Sequence, residues 1–293
     1  MARIAESELI INQDGSIFHL HILPEDLADI VVVCGDPGRV SLIASFFDKG
    51  SIEVEKESRE FRTITGKYHG RRITVLSTGI GTDNIDIVMT ELDALANIDF
   101  NTREPKKEKK RLTILRIGTC GCVQPDIPLG GYIFSEVSIG CDGLLNWYAG
   151  RDDIALKDIE AAFISHMEWK KSLPAPYFVK ASDKLTDLFK ESTYRGMTIS
   201  APGFYGPQGR SVRLELTFPD FVQKLESFKY QDMRVTNIEM ESSALAGLAA
   251  LLGHDAGTIC CVIANRHRKE SQPDYGPLMS DMIRMILDKL IQL

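Results

Sequence analysis

Residues 30–34, Ile-Val-Val-Val-Cys, are apolar at every position, so a strand built from them has no face that can meet water. Such a strand has to be covered on both sides. It runs straight into Gly35-Asp36-Pro37-Gly38-Arg39, which reads as a tight turn ending on a cation. Similar short runs recur at 73–77, 112–117, 131–137, 177–181, 196–200 and 257–264. Between them lie helical patterns at 38–47, 84–97, 152–165, 182–193, 217–227, 239–252 and 277–291. The last carries an apolar stripe of Met279, Ile283, Ile286, Leu287 and Leu290, spaced to cover one face of a helix. This alternation predicts an α/β fold: a three-layer αβα sandwich with a central mixed sheet. Neither an internal repeat nor a linker divides the chain, so residues 1–293 are expected to form one domain. Residues 101–111, Asn-Thr-Arg-Glu-Pro-Lys-Lys-Glu-Lys-Lys-Arg, mix acids into a basic run and are expected to be an inserted, solvated surface loop.

The overall balance narrows the partners. A formal net charge of −7 argues against nucleic acid, whose binders carry a basic surplus, so the basic residues that matter should be local, around a small anion. The six cysteines include no pair of CxxC units and fit reduced, buried thiols of a cytoplasmic protein. The start, MARIAESELI, lacks the basic and apolar regions of a signal peptide. The most apolar long stretch, 244–264, is interrupted by Gly253-His254-Asp255, so no membrane span is expected.

In open α/β sheets ligands bind beyond the carboxyl ends of the strands. Three such ends carry suitable chemistry: Gly35 to Arg39, Thr78-Gly79-Ile80-Gly81-Thr82-Asp83-Asn84, and Arg116-Ile117-Gly118-Thr119-Cys120-Gly121. Glycines let backbone N–H groups approach an anion, and arginine offers a planar fork matched to phosphate oxygens. Arg116 lies within an otherwise apolar strand; a buried guanidinium needs either a structural carboxylate or a bound anion. Together these ends suggest an oxyanion site. Farther on, Glu239, Met240 and Glu241 are expected at the start of a helix, as caps or as acceptors for paired hydroxyls such as those of a ribose. Gln208 and Arg210, in Phe-Tyr-Gly-Pro-Gln-Gly-Arg, are either turn residues or a pair reading the polar edge of a planar ring.

Taken together, Gly35-Asp36-Pro37-x-Arg39, Arg59-Glu60-Phe61, Ser77-Thr78-Gly79-Ile80-Gly81, Leu115-Arg116-Ile117-Gly118-Thr119, Gln208-x-Arg210 and Glu239-Met240-Glu241-Ser242 resemble the nucleoside phosphorylase family of the phosphorylase/hydrolase-like fold, nearest its uridine-cleaving members. The likeness runs from Phe18-His19-Leu20 almost to the C-terminus. It implies phosphorolysis of uridine to uracil and ribose 1-phosphate, with phosphate as co-substrate and no organic cofactor. Gly35, Arg39, Arg116 and Thr119 would bind phosphate, joined by Arg59 across a dimer interface. Met240 and Glu241 would hold the ribose, and His19 of a neighbouring subunit its 5′-hydroxyl. Phe204, Gln208, Arg210 and Ile263 would meet the base, with Arg266 supporting the pair. Asn265 stands where purine-specific relatives place an aspartate, which favours a pyrimidine. A homodimer sharing its active sites is implied, with larger assemblies left open. Glu60, Ile80 and Asn84 match a cation site at the dimer interface, suited to K⁺ or Ca²⁺. The chain departs from the family at Cys120, where a second threonine is usual, at Thr82-Asp83-Asn84, and in the length of the 101–111 loop. A nucleosidase or purine phosphorylase of the same fold, or a non-catalytic nucleoside-binding protein, are the alternatives; the arginines and Glu241 argue against the first and last.

Overall fold

The computed structural model describes residues 3–293. Its first half contains β1 (Ile30–Cys34), α1 (Pro37–Ala44), β2 (Val54–Ser58), β3 (Phe61–Tyr68), β4 (Arg71–Ser77), α2 (Thr82–Asn97), β5 (Ile98–Asp99), β6 (Glu104–Pro105) and β7 (Thr113–Cys122). The second half adds β8 (Tyr132–Gly140), α3 (Arg151–Ile154), α4 (Lys157–Met167), β9 (Tyr177–Lys180), α5 (Asp183–Phe189), β10 (Tyr194–Ser200) and α6 (Phe221–Ser227). It closes with β11 (Lys229–Tyr230), β12 (Met233–Glu239), α7 (Ser242–Leu252), β13 (Asp255–Asn265), β14 (Glu270–Ser271) and α8 (Gly276–Leu290).

The mixed sheet runs β11-β12-β10-β8-β13-β7-β1-β4-β3-β2, and β1 shows why both of its faces had to be apolar. Val31 and Val33 enter a core with α2 and α7, including Val88, Leu92, Leu245 and Leu248. Ile30, Val32 and Cys34 enter a different core on the other side, with Val40 and Ile43 of α1 and Ile283 and Leu287 of α8. Alternate residues of one strand thus bury into two helical layers. β1 pairs in parallel with β4 and with β7, Cys34 lying beside Ser77 and Val33 beside Arg116. The turns after β1 and β4 therefore leave the same edge of the sheet together, whereas Arg116–Gly121, expected to follow a strand ending at 117, lies inside β7, which continues beside them to Cys122. Among the described residues no helix is long and apolar enough to cross a membrane.

Several boundaries differ from expectation. The helix expected over 152–165 is two helices, because the Leu156 N–H donates to the Phe178 carbonyl at 2.9 Å, joining β9 instead of continuing a helical turn. The helix expected from 217 starts only at Phe221; Pro219 disfavours helical backbone at Phe218. Glu239 ends β12 instead of opening a helix, and α7 begins at Ser242 with Glu241 at its N-cap. The hairpin of β2 and β3 and the strand β12 were not anticipated. Residues 101–111 are largely exposed, as expected, but they are not a bare loop. β6 pairs with β5, and Lys106 and Lys109 donate to the carbonyls of Ala96 and Asn97 at the end of α2, where cations suit the helix dipole.

Candidate active site

A cleft of about 1260 Å³ opens at the common strand edge. It gathers Gly35, Arg39, Arg116, Thr119, Phe204, Gln208, Arg210, Met240, Glu241, Ile263 and Arg266, with Glu60, Ile80 and Asn84 at its border. His19 and Arg59 are the predicted site residues that do not line it.

At one end, the β1–α1 turn is built by Asp36, whose carboxylate accepts from the Gly38 N–H at 2.8 Å, with Pro37 beginning the helix. Asp36→Ala is expected to lower stability by about 1 kcal/mol, the usual loss for an N-cap; an unchanged urea midpoint would contradict that role. The turn packs closely on its neighbour: a Cβ at Gly35 would lie 3.1 Å from the Gly79 carbonyl oxygen. Gly79 and Gly81 both take positive φ, 71° and 101°, conformations side chains rarely adopt. Arg39 Nη1 donates to the Ile117 carbonyl at 3.2 Å, so α1 reaches across to the middle of β7.

Arg116 resolves the choice left open by its sequence: its partners are carboxylates. Nη1 donates to Glu239 Oε2 at 3.1 Å and Nη2 to Glu241 Oε2. All three residues are buried. Burial works against the guanidinium charge, but Glu241 and Glu239 more than offset it and hold Arg116 above its ordinary range. Nε of Arg116 is buried without a hydrogen-bond partner. Glu241 also accepts from the Gly81 N–H at 2.8 Å, joining the N-caps of α2 and α7. Burial pushes its carboxyl up, against the pull of Arg116.

At the other end, Arg210 lies over the Phe204 ring at 4.0 Å and donates to Gln208 Oε1 at 2.5 Å and the Phe204 carbonyl at 2.7 Å. Arg266 Nη1 donates to the Gln208 carbonyl at 3.0 Å. Neither guanidinium forms an ion pair among the described residues. Burial, then the neighbouring Arg266, pulls Arg210 down to about 10; burial lowers Arg266 as well. Asn265 is buried and points its amide into structure, donating to the Gln124 and Ile127 carbonyls at 2.9 and 3.1 Å. Cys120 is buried in the cleft wall.

His19 and Arg59 form a separate patch. The Arg59 guanidinium lies 5.4 Å from the centre of the Phe18 ring, and Phe18 packs edge-on against His19 at 4.7 Å. Sequence reasoning missed Glu91, whose carboxylate accepts from the His19 and Leu20 N–H groups and lies 2.6 Å from His19 Nδ1. The clue was an acid between Val88 and Leu92 on an apolar helix face. Glu60 and Asn84 converge on Gly79, where a Cβ would lie 3.2 Å from Glu60 Cγ and overlap the Asn84 amide. These are hard donors but a thin set from one chain, with a single carboxylate.

The family model of the phosphorylase superfamily matches residues 29–291. The uridine phosphorylase of Thermococcus kodakarensis is 33% identical over 258 residues, spanning 88% of this chain and 80% of its own. That of Escherichia coli is 32% identical over 262 residues, spanning 87% and 88%. A solved structure of a Trypanosoma brucei nucleoside phosphorylase, reported to show uridine phosphorylase activity, superposes with a TM-score of 0.89 at 31% identity. It covers 97% of this chain and 100% of that one.

Proposed function

The chain belongs to the phosphorylase superfamily, and from that premise we propose that it is a uridine phosphorylase, converting uridine and phosphate to uracil and ribose 1-phosphate. The observation that carries this reading is the division of one cleft into two cationic ends with a carboxylate between them. Arg39, Arg116, Thr119 and the Gly35 turn suit phosphate. Arg210 and Arg266, side by side without carboxylate partners, suit a base that departs with negative charge. Glu241 and Met240 lie between, where ribose would bridge the two ends.

In this mechanism phosphate is held in line with the anomeric carbon while the glycosidic bond lengthens. Gln208 and Arg210 take up the charge developing on uracil, so no general acid is required. Asn265, its amide already donating twice to backbone, has no proton to offer a purine. The Phe18–His19–Arg59 patch is read as completing the site of a second copy, giving a homodimer with shared sites. A cation between two copies would take Glu60, the Ile80 carbonyl and Asn84 from each; oxygen donors of this kind suit K⁺ or Ca²⁺ and would screen the paired carboxylates. Six buried free cysteines support a cytoplasmic protein, and phosphorolysis of uridine there would serve pyrimidine salvage.

The test is release of uracil from uridine with and without phosphate, with ribose 1-phosphate measured in parallel. Release is expected only with phosphate. Phosphate-independent release would overturn the reading in favour of a nucleosidase.

A further inference from the structure

We propose that Glu239 is a positioning residue that keeps Glu241 open to the ribose hydroxyls by holding half of the Arg116 fork; this rests on the uridine phosphorylase reading. Ser200 and Glu239 are register partners at the ends of parallel β10 and β12. The Ser200 hydroxyl donates to Glu239 Oε1 at 2.6 Å. The Ser242 N–H donates to both carboxylate oxygens at 3.0 Å, and the Glu241 N–H to Oε2 at 3.0 Å. Arg116 Nη1 completes the set at 3.1 Å. The carboxylate is thus fixed from β7, β10 and the first turn of α7 at once.

The consequence lies in how the guanidinium is divided. A buried arginine facing a single carboxylate closes on it as a bidentate fork, engaging both oxygens. Here Glu239 takes Nη1, so Glu241 receives only Nη2, on Oε2, while Oε1 takes the Gly81 N–H. Each carboxylate oxygen accepts about two hydrogen bonds, so Glu241 retains an acceptor position on each oxygen for a vicinal diol. The Glu239 charge by itself pushes Glu241 up, and the shared Arg116 cation opposes that push, so what Glu239 contributes is the division of the fork. Without the Glu239 charge, Arg116 would turn both nitrogens onto Glu241 and compete with the substrate.

The diagnostic variant is Glu239→Gln, compared with wild type on uridine and 2′-deoxyuridine at saturating phosphate. Wild type is expected to prefer uridine. Glu239→Gln is expected to raise KM for uridine at least about tenfold and to shrink the uridine-to-deoxyuridine ratio of kcat/KM, with KM for phosphate moving less. Ser200→Ala, which keeps the charge and loosens its seat, should shift the ratio in the same direction by less, and it carries the test where Glu239→Gln does not fold. A loss of stability with the ratio unchanged would overturn the proposal, as would a wild type equally active on both nucleosides. A wild type without phosphate-dependent uracil release would instead overturn the function on which it rests.

Discussion

Replacing Arg116 with alanine is expected to abolish phosphorolysis and to lower stability by about 3–5 kcal/mol, the usual loss when one partner of a buried ion pair is removed. The magnitude follows from what remains. Glu239 and Glu241 would stay buried beside each other, with backbone and hydroxyl donors but no cation. Burial already pushes Glu241 up, and removing Arg116 removes the charge that opposes it. A carboxyl whose folded pKa is raised adds stability below its unfolded value, about 4.3, and loses it as pH rises through the folded value. The Arg116→Ala deficit should therefore be smaller at pH 5 than at pH 8. Urea unfolding of both proteins at the two pH values measures it. An equal deficit at both would mean that the carboxylates do not depend on Arg116 for their charge.

The same residue marks how far the sequence could be read. Arg116 was conspicuous because an arginine within Leu-Thr-Ile-Leu-Arg-Ile needs a partner. Its partners lie 123 and 125 positions away, and local pattern carries no information about which residues meet at that separation. β1 was legible because both faces are apolar, and its pairing with β4 and β7 then brings its own turn, the turn after β4 and the far half of β7 to one edge. β2 was not legible: Val-Glu-Lys-Glu-Ser is mostly exposed on an edge strand held by β3 alone, so it carries little apolar signal. The break between α3 and α4 depends on Leu156 pairing with β9, a tertiary contact that overrides helical periodicity. Glu239 was misplaced by a single element. A carboxylate just before a small-residue helix looks like a first-turn acid, whereas β10 pairs with it as a strand. Most of the cleft was named residue by residue through the family motifs, which lie in the turns after β1 and β4, in β7 itself and at the junction of β12 with α7. The long-range contacts among them, and the support of His19 by Glu91, required the folded chain.

The base end gives the second large effect. Arg210→Ala is expected to lower kcat on uridine by about 10²–10³, the range for removing one donor aimed at developing charge, while KM for phosphate stays near its wild-type value. The protein prepares this charge at a visible cost: Arg210 is pulled down to about 10 by burial and by Arg266, so the fold holds two like charges together until an anion arrives. Because Arg210 binds its proton less tightly folded than unfolded, its burden on stability is full below pH 10 and is relieved as pH rises through that value. In the proposed mechanism departing uracil would relieve it at neutral pH, making the interaction stronger in the transition state than with neutral uridine. Gln208 would cooperate in the proposed mechanism, since its Oε1 accepts from Arg210 at 2.5 Å and its amide nitrogen would be left for the base. Substrates whose base is more acidic place less demand on this stabilisation. The ratio of wild-type to Arg210→Ala turnover should therefore be smaller with 5-fluorouridine than with uridine. Single-turnover rates on both substrates measure it, and equal ratios would show that Arg210 orients the base without stabilising its charge.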